Sequence, residues 1–136
     1  MDQDTWVDEE MEGDPELNRI TNLIIGAAIA VHKELGPGYD EQTYENALAI
    51  EFGVRGIRFE RQYLVGIFYR GQKVGERRLD FLVEETVVLE LKAVEQLIGL
   101  FTSQTISYLK ASKRKLALLI NFNTRKLAEG IRRIKF

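Results

Sequence analysis

Apolar residues return every three or four positions from Ile20 to Leu35, at Ile20, Leu23, Ile24, Ala27, Ala28, Val31 and Leu35. That spacing places them on one stripe of a helix and predicts a long core helix. Asp14-Pro15 ahead of it supplies a capping side chain and a proline suited to a first turn, and Gly36-Pro37-Gly38 ends it. A second helix is predicted from near Asp40, with Tyr44, Ala47, Leu48 and Phe52 on one side and a stop around Gly53 to Gly56. From Ile57 the period changes to two. Phe59 to Tyr69 predicts a strand, Arg70-Gly71-Gln72-Lys73 a turn, Glu76 to Val83 a second strand, Glu84-Glu85 another turn, and Val87 to Lys92 a third strand. Helical spacing resumes over residues 95 to 111, with Leu97, Phe101, Gln104 and Tyr108 near one side. Lys115 to Phe122 is apolar enough for a central strand, and a short helix (124 to 129) and a last strand (131 to 136) close the chain. The order α, α, β, β, β, α, β, α, β predicts an α/β fold.

Composition narrows the chemistry. The 136 residues suit one domain, read as residues 17–136 behind an acidic leader at 1–16. No run approaches the roughly 20 apolar residues of a membrane span, and no secretory signal opens the chain, so a cytoplasmic protein with no membrane partner is expected. Without cysteine there is no disulfide, thiolate metal site or cysteine nucleophile, and a single histidine disfavours a His-rich zinc site. Any metal would be held by oxygen, which points to magnesium, manganese or calcium. The net charge of −2 hides an asymmetry: residues 1 to 18 hold eight acidic side chains and no basic one, leaving 19 basic against 13 acidic residues in the rest. The leader is expected to be disordered and solubilising, and the body is compatible with a polyanionic partner.

Charges inside the strands carry the strongest chemical signal. Asp80, Glu90 and Lys92 lie in "RRLDFLVEETVVLELKAVE", residues 77 to 95, where buried strand positions are expected. Glu90 and Lys92, two apart, share a face. If Glu84, Glu85 and Thr86 form the hairpin loop, Val83 faces Val87 and Asp80 falls opposite Glu90; a slip by one residue would put Asp80 opposite Leu89 and break up the group. Two carboxylates about 5 Å apart repel unless a cation lies between them. Two readings follow. In one, Lys92 pairs with the carboxylates as a structural ion pair. In the other, Asp80, Glu90 and the Leu91 carbonyl hold magnesium or manganese, which polarises a water for phosphodiester hydrolysis while Lys92 orients that water or stabilises phosphate charge.

Those residues also carry a resemblance. Gly38-Tyr39-Asp40-Glu41-Gln42-Thr43-Tyr44 fits Gly-x-x-Glu-x-x-Tyr. It is followed by Asp80, by Glu90-Leu91-Lys92, by Gln104-x-x-x-Tyr108-Leu109-Lys110 and by Leu119-Ile120-Asn121-Phe122. Over about residues 17 to 136, the ordered set resembles the bacterial and archaeal GxxExxY proteins, a branch of the PD-(D/E)XK nuclease superfamily. The resemblance implies an αβββαβ core, a mixed central sheet flanked by helices, and a magnesium- or manganese-dependent nuclease acting on DNA in repair or defence. It makes Asp80 and Glu90 metal ligands, Lys92 the catalytic lysine and Glu41 an auxiliary acidic ligand, with Glu45 as the fallback one turn on. Gln104 and Tyr108 look like the Gln-x-x-x-Tyr pair of RecB-like members, the glutamine approaching the active site and the tyrosine supporting it or contacting DNA beside Lys110. The proline usual before the first catalytic aspartate is replaced by Leu79.

Other polar residues receive structural readings. His32 on the core helix is expected to pack or hydrogen-bond, and Lys110, Lys113, Arg114 and Lys115 to complement a helix end. Of Arg77 and Arg78, and of Arg132 and Arg133, alternation allows only one each to share a face with the site. Tyr63 and Tyr69 are expected half-buried in the sheet. A binding module keeping the fold without turnover, a subunit of a larger complex, and a homodimer through a sheet edge are the alternative expectations.

Overall fold

The computed structural model describes residues 14–136, so the predicted disorder of the acidic leader lies outside the described residues for 1–13, while Asp14, Pro15 and Glu16, its last three residues, open a helix. The chain is α/β. Helix α1 (Pro15–Leu35) starts where the Asp14 side chain accepts the Leu17 N–H at 3.1 Å and ends at Gly36, whose φ of 68° suits a residue without Cβ. Helix α2 (Glu41–Arg55) is capped in the same way by Asp40, which accepts the Thr43 N–H at 2.9 Å, and stops at Gly56 in the left-handed conformation. Strands β1 (Phe59–Tyr69), β2 (Gln72–Val83) and β3 (Val87–Lys92) form an antiparallel meander. Helix α3 (Gly99–Ser112) then crosses to β4 (Leu116–Asn121), which runs parallel to β3, and β5 (Ile131–Lys135) pairs antiparallel with β4. The sheet order is β1-β2-β3-β4-β5.

One sheet face packs on α1 and α2, through Phe81, Val83, Leu89, Leu118 and Ile120. The other packs on α3, through Val65, Leu79, Leu82, Val88 and Leu119 around Leu109. With both faces covered, β3 and β4 are almost wholly buried, which is why they read as continuous apolar runs.

Three boundaries differ from expectation. β2 begins at Gln72, because Arg70 and Gly71 (φ 49° and 78°) alone make the turn, and a bulge between Ile67 and Phe68 absorbs the extra residue. The expected helix over 124 to 129 is one 3₁₀ turn, Leu127–Gly130. α3 starts at Gly99 instead of 95, because the chain leaving β3 is pinned by a distant side chain: Asn121 accepts the Val94 N–H at 3.0 Å and donates to the Val94 carbonyl at 2.9 Å.

His32 is buried and its Nε2 lies 2.8 Å from the Thr124 carbonyl, the packing role expected of it. Tyr63 is partly buried against the α3 side, whereas Tyr69, expected half-buried, is 65% exposed near the tip of the β1–β2 hairpin.

Candidate functional site

The hairpin register fixes the carboxylates. Val83 pairs with Val87, Leu82 with Val88 and Phe81 with Leu89, after which the β2–β3 ladder stops. Asp80 follows, opposite Glu90, and its Oδ2 accepts the Leu91 N–H at 2.8 Å in place of the next backbone bond. The N–H and C=O of a strand residue point to the same side, so the Leu91 carbonyl also faces the Asp80 edge.

A break in alternation shapes this edge. Phe59 packs on the α1/α2 side and Arg61 reaches Glu45 of α2, yet Tyr63 and Val65, further along the same parity, pack on the α3 side. In β2, Phe81 and Val83 lie on the α1/α2 side while Leu79 lies with α3. An unbroken strand keeps residues two apart on one face. Both strands therefore switch faces at Gln62 and Asp80, which oppose each other without forming a ladder pair. Gln62 makes the switch with φ at 51°, a conformation uncommon outside glycine and typically costing about 1–3 kcal/mol. Its side chain donates to Oε1 of Glu45 at 2.8 Å, and Arg61 donates to Oε2 of Glu45 at 3.0 and 2.6 Å. Glu45, the fallback ligand, is thus a buried anchor for the backbone beside Asp80 and does not line the pocket.

The pocket has a volume of about 150 Å³, and its walls include Glu41, Arg77, Arg78, Asp80, Glu90, Leu91, Lys92, Phe101, Gln104, Thr105 and Tyr108. One water needs roughly 10–15 Å³ of such space, so the pocket has room for several small polar groups. Glu90 is only 7% exposed, and its Oε1 has no hydrogen-bond partner. Burial, reinforced by the Asp80 charge and a hydrogen bond with Asp80, pushes the Glu90 carboxyl up to about 9, against a weaker opposing pull from Lys92. Among the described residues no ion pair within 4 Å joins Lys92 to either carboxylate. Lys92 Nζ instead lies 4.6 Å from the centre of the Phe101 ring. The strand end carrying it is held by Phe122 N–H, which donates to the Lys92 carbonyl at 2.9 Å, and by the Asn121–Val94 pair.

Glu41 reaches the pocket from the exposed first turn of α2. Tyr44 holds that turn in place: its hydroxyl donates to the Gly36 carbonyl at 2.6 Å and accepts the Tyr39 N–H at 3.2 Å, while its ring stacks on Phe122. Among the described residues no three His, Cys, Asp or Glu side chains converge as a metal-holding group, so Glu41 lines the pocket without completing a three-carboxylate set with Asp80 and Glu90. Gln104, Thr105 and Tyr108 enter from α3. Lys110 does not: it is exposed, with Nζ 5.6 Å from the Phe136 ring centre, because helical spacing turns it away from the Gln104–Tyr108 face.

Both Arg77 and Arg78 line the pocket, contrary to the alternation expectation. The two still alternate along β2, but β3 no longer flanks the strand there, so two long side chains leaving opposite faces both reach the open edge. Arg77 donates to the Tyr108 hydroxyl and stacks on its ring, while Arg78 donates to the Gln62 carbonyl at 3.3 Å. Arg132 and Arg133 lie elsewhere, Arg133 reaching Thr21 on α1. The sequence signal for Asn121 was a terminal amide on an otherwise apolar strand, LALLIN; nothing local signals Gln62.

The residues present fit a divalent cation. Only oxygen donors are offered, and a buried carboxylate oxygen lacking a partner lies beside a second carboxylate. Among the described residues no helix is long and apolar enough to cross a membrane. Comparison with curated proteins and with solved structures finds no match. The model of one family, described as PD-(D/E)XK nuclease superfamily, matches residues 18–134. With the αβββα-β order and the Asp80, Glu90-x-Lys92 group at one sheet edge, the chain belongs to the PD-(D/E)XK nuclease superfamily.

Proposed function

We propose that this protein is a magnesium- or manganese-dependent nuclease of the GxxExxY branch that hydrolyses DNA phosphodiesters, acting in the cytoplasm through a single domain over residues 17–136. The observation that carries the reading is the placement of an unpartnered, buried Glu90 oxygen beside Asp80 in a pocket whose walls also carry Lys92, Arg77 and Arg78. Asp80, Glu90 and the Leu91 carbonyl would hold the cation. When bound, it supplies Lewis-acid polarisation of water and phosphate.

The chain's own residues do the rest. Asp80 is oriented by the Leu91 N–H on Oδ2, which leaves Oδ1 for the pocket. Glu90 releases its proton on loading, because a cation offsets the burial that otherwise keeps it neutral. Lys92, held over Phe101 and free of carboxylates, directs its charge at the scissile phosphate, where negative charge builds in the transition state. Arg77 and Arg78 position the flanking backbone, Gln104 and Tyr108 close the α3 side, and Glu41 walls the pocket from α2.

The test is cleavage of linear and plasmid DNA in magnesium or manganese by wild type and Lys92→Ala. Cleavage reduced at least about a hundredfold in the variant, with DNA binding retained, supports the proposal. Metal-dependent cleavage that survives Lys92→Ala, or no cleavage by wild type across single- and double-stranded substrates, refutes it.

A further inference from the structure

The β1–β2 hairpin extends well past the sheet. β3 pairs with β2 only at Phe81, Leu82 and Val83, whereas β1–β2 pairing continues to Tyr69 and Gln72. At about 3.3 Å per residue, the part of β2 before Asp80, Gln72 to Leu79, spans roughly 26 Å. α3 covers one face near the base, through Tyr63, Val65 and Leu79. Beyond that, Leu64, Ile67, Phe68, Tyr69 and Val74 are all exposed, five of the eleven large hydrophobic residues exposed among the described residues, gathered within eleven positions. The same ribbon carries Arg70, Lys73, Arg77 and Arg78 against the single acid Glu76, which pairs with Lys73.

A ribbon with this charge repels a second copy of itself and attracts a polyanion. Its tip is a tight two-residue turn with both φ positive, so the ribbon is preformed instead of ordering on contact. Two strands fit the width of a DNA major groove, where cations reach phosphates and apolar side chains meet sugars and thymine methyls. Its base is continuous with the pocket, because Arg77 and Arg78 belong to both.

We infer that the ribbon of residues 64–78 grips duplex DNA in its groove and leads the adjoining backbone into the Asp80–Glu90 pocket. The inference rests on the proposed nuclease reading for the role of the pocket, and duplex binding tests it separately.

The experiment is fluorescence anisotropy of the full chain with a fluorescein-labelled duplex of about 20 base pairs in EDTA, over a series of salt concentrations. Wild type is compared with Arg70→Glu/Lys73→Glu and with Phe68→Ser/Tyr69→Ser, each checked for folding by circular dichroism. Hydrolysis of thymidine 5′-(p-nitrophenyl phosphate) in manganese, a substrate too small to reach the tip, is followed in parallel. The charge variant is expected to bind at least tenfold more weakly, with the log K against log salt slope reduced by about two, and the apolar variant to bind more weakly at unchanged slope. Unchanged affinity and slope in the charge variant would overturn the inference, as would a wild type that does not bind the duplex at low salt. Loss of small-substrate hydrolysis in the folded tip variants would also overturn it, since the tip would then act through the pocket. A wild type inactive on the small substrate but bound to the duplex through the tip would refute the nuclease reading and leave the ribbon standing.

Discussion

Replacing Glu90 by glutamine should flatten the pH dependence of stability of the metal-free protein. The carboxyl is 7% exposed and its folded pKa is pushed up to about 9, from an ordinary value of 4.5, so between those values the folded state holds a proton that the unfolded chain has released. The stabilisation is fully present below about pH 4.5 and drains away as pH rises toward 9. Inside that window each pH unit costs about 1.4 kcal/mol, so moving from pH 6 to pH 8 should cost about 3 kcal/mol, a large share of the 5–15 kcal/mol typical of a domain. Urea denaturation in EDTA at pH 6, 7 and 8 measures it; with a slope of about 2 kcal/mol/M, the midpoint should fall by about 1.4 M. Glutamine matches the shape of the protonated acid and does not titrate, so the difference between the two proteins isolates Glu90 from other titrating groups. A wild type no more pH-dependent than Glu90→Gln would refute the reasoning.

Glu45→Ala should destabilise the protein by about 1–2 kcal/mol, because the Gln62 amide loses its buried acceptor while the exposed Arg61 keeps Asn46, and should also weaken manganese binding measured by calorimetry, because Gln62 loses its anchor opposite Asp80. Gln62→Gly, which tolerates the positive φ, should cost less in chemical denaturation than Gln62→Val, whose branched side chain resists it. Gly130→Ala would drive a Cβ into the Asn121 carbonyl oxygen, a backbone atom that cannot swing aside, and should lower stability by about 2 kcal/mol or more, read as a fall in thermal midpoint.

Elements governed by local pattern were legible in the sequence. The α1 stripe, its Asp14 and Gly36 limits, the meander and the Asp80–Glu90 register all follow from periodicity and one three-residue loop. Features set by distant partners were not. Glu95 to Ile98 carry helix-compatible residues, but Asn121, 27 positions after Val94, ties down the chain just ahead of them. The face switch at Gln62 left no trace, because the left-handed residue there is not a glycine, and alternation alone gave no sign that β3 stops at Phe81 and leaves an edge around which both Arg77 and Arg78 reach the pocket. Glu45 and Glu41 lie one turn apart on α2 and look equivalent by spacing; only Arg61 and Gln62, brought over from β1, separate anchor from pocket wall.

The most direct test of the central claim, that Asp80 and Glu90 together hold a divalent cation, is manganese titration by calorimetry. It would be run on folded wild type and on Asp80→Asn and Glu90→Gln, with and without a phosphorothioate DNA oligonucleotide, in two buffers of different ionisation enthalpy at pH 7. The account predicts one site in wild type, release of close to one proton as Glu90 ionises, and loss of that site in both variants. Binding that persists in the variants, or no binding by wild type even with the oligonucleotide present, would contradict it.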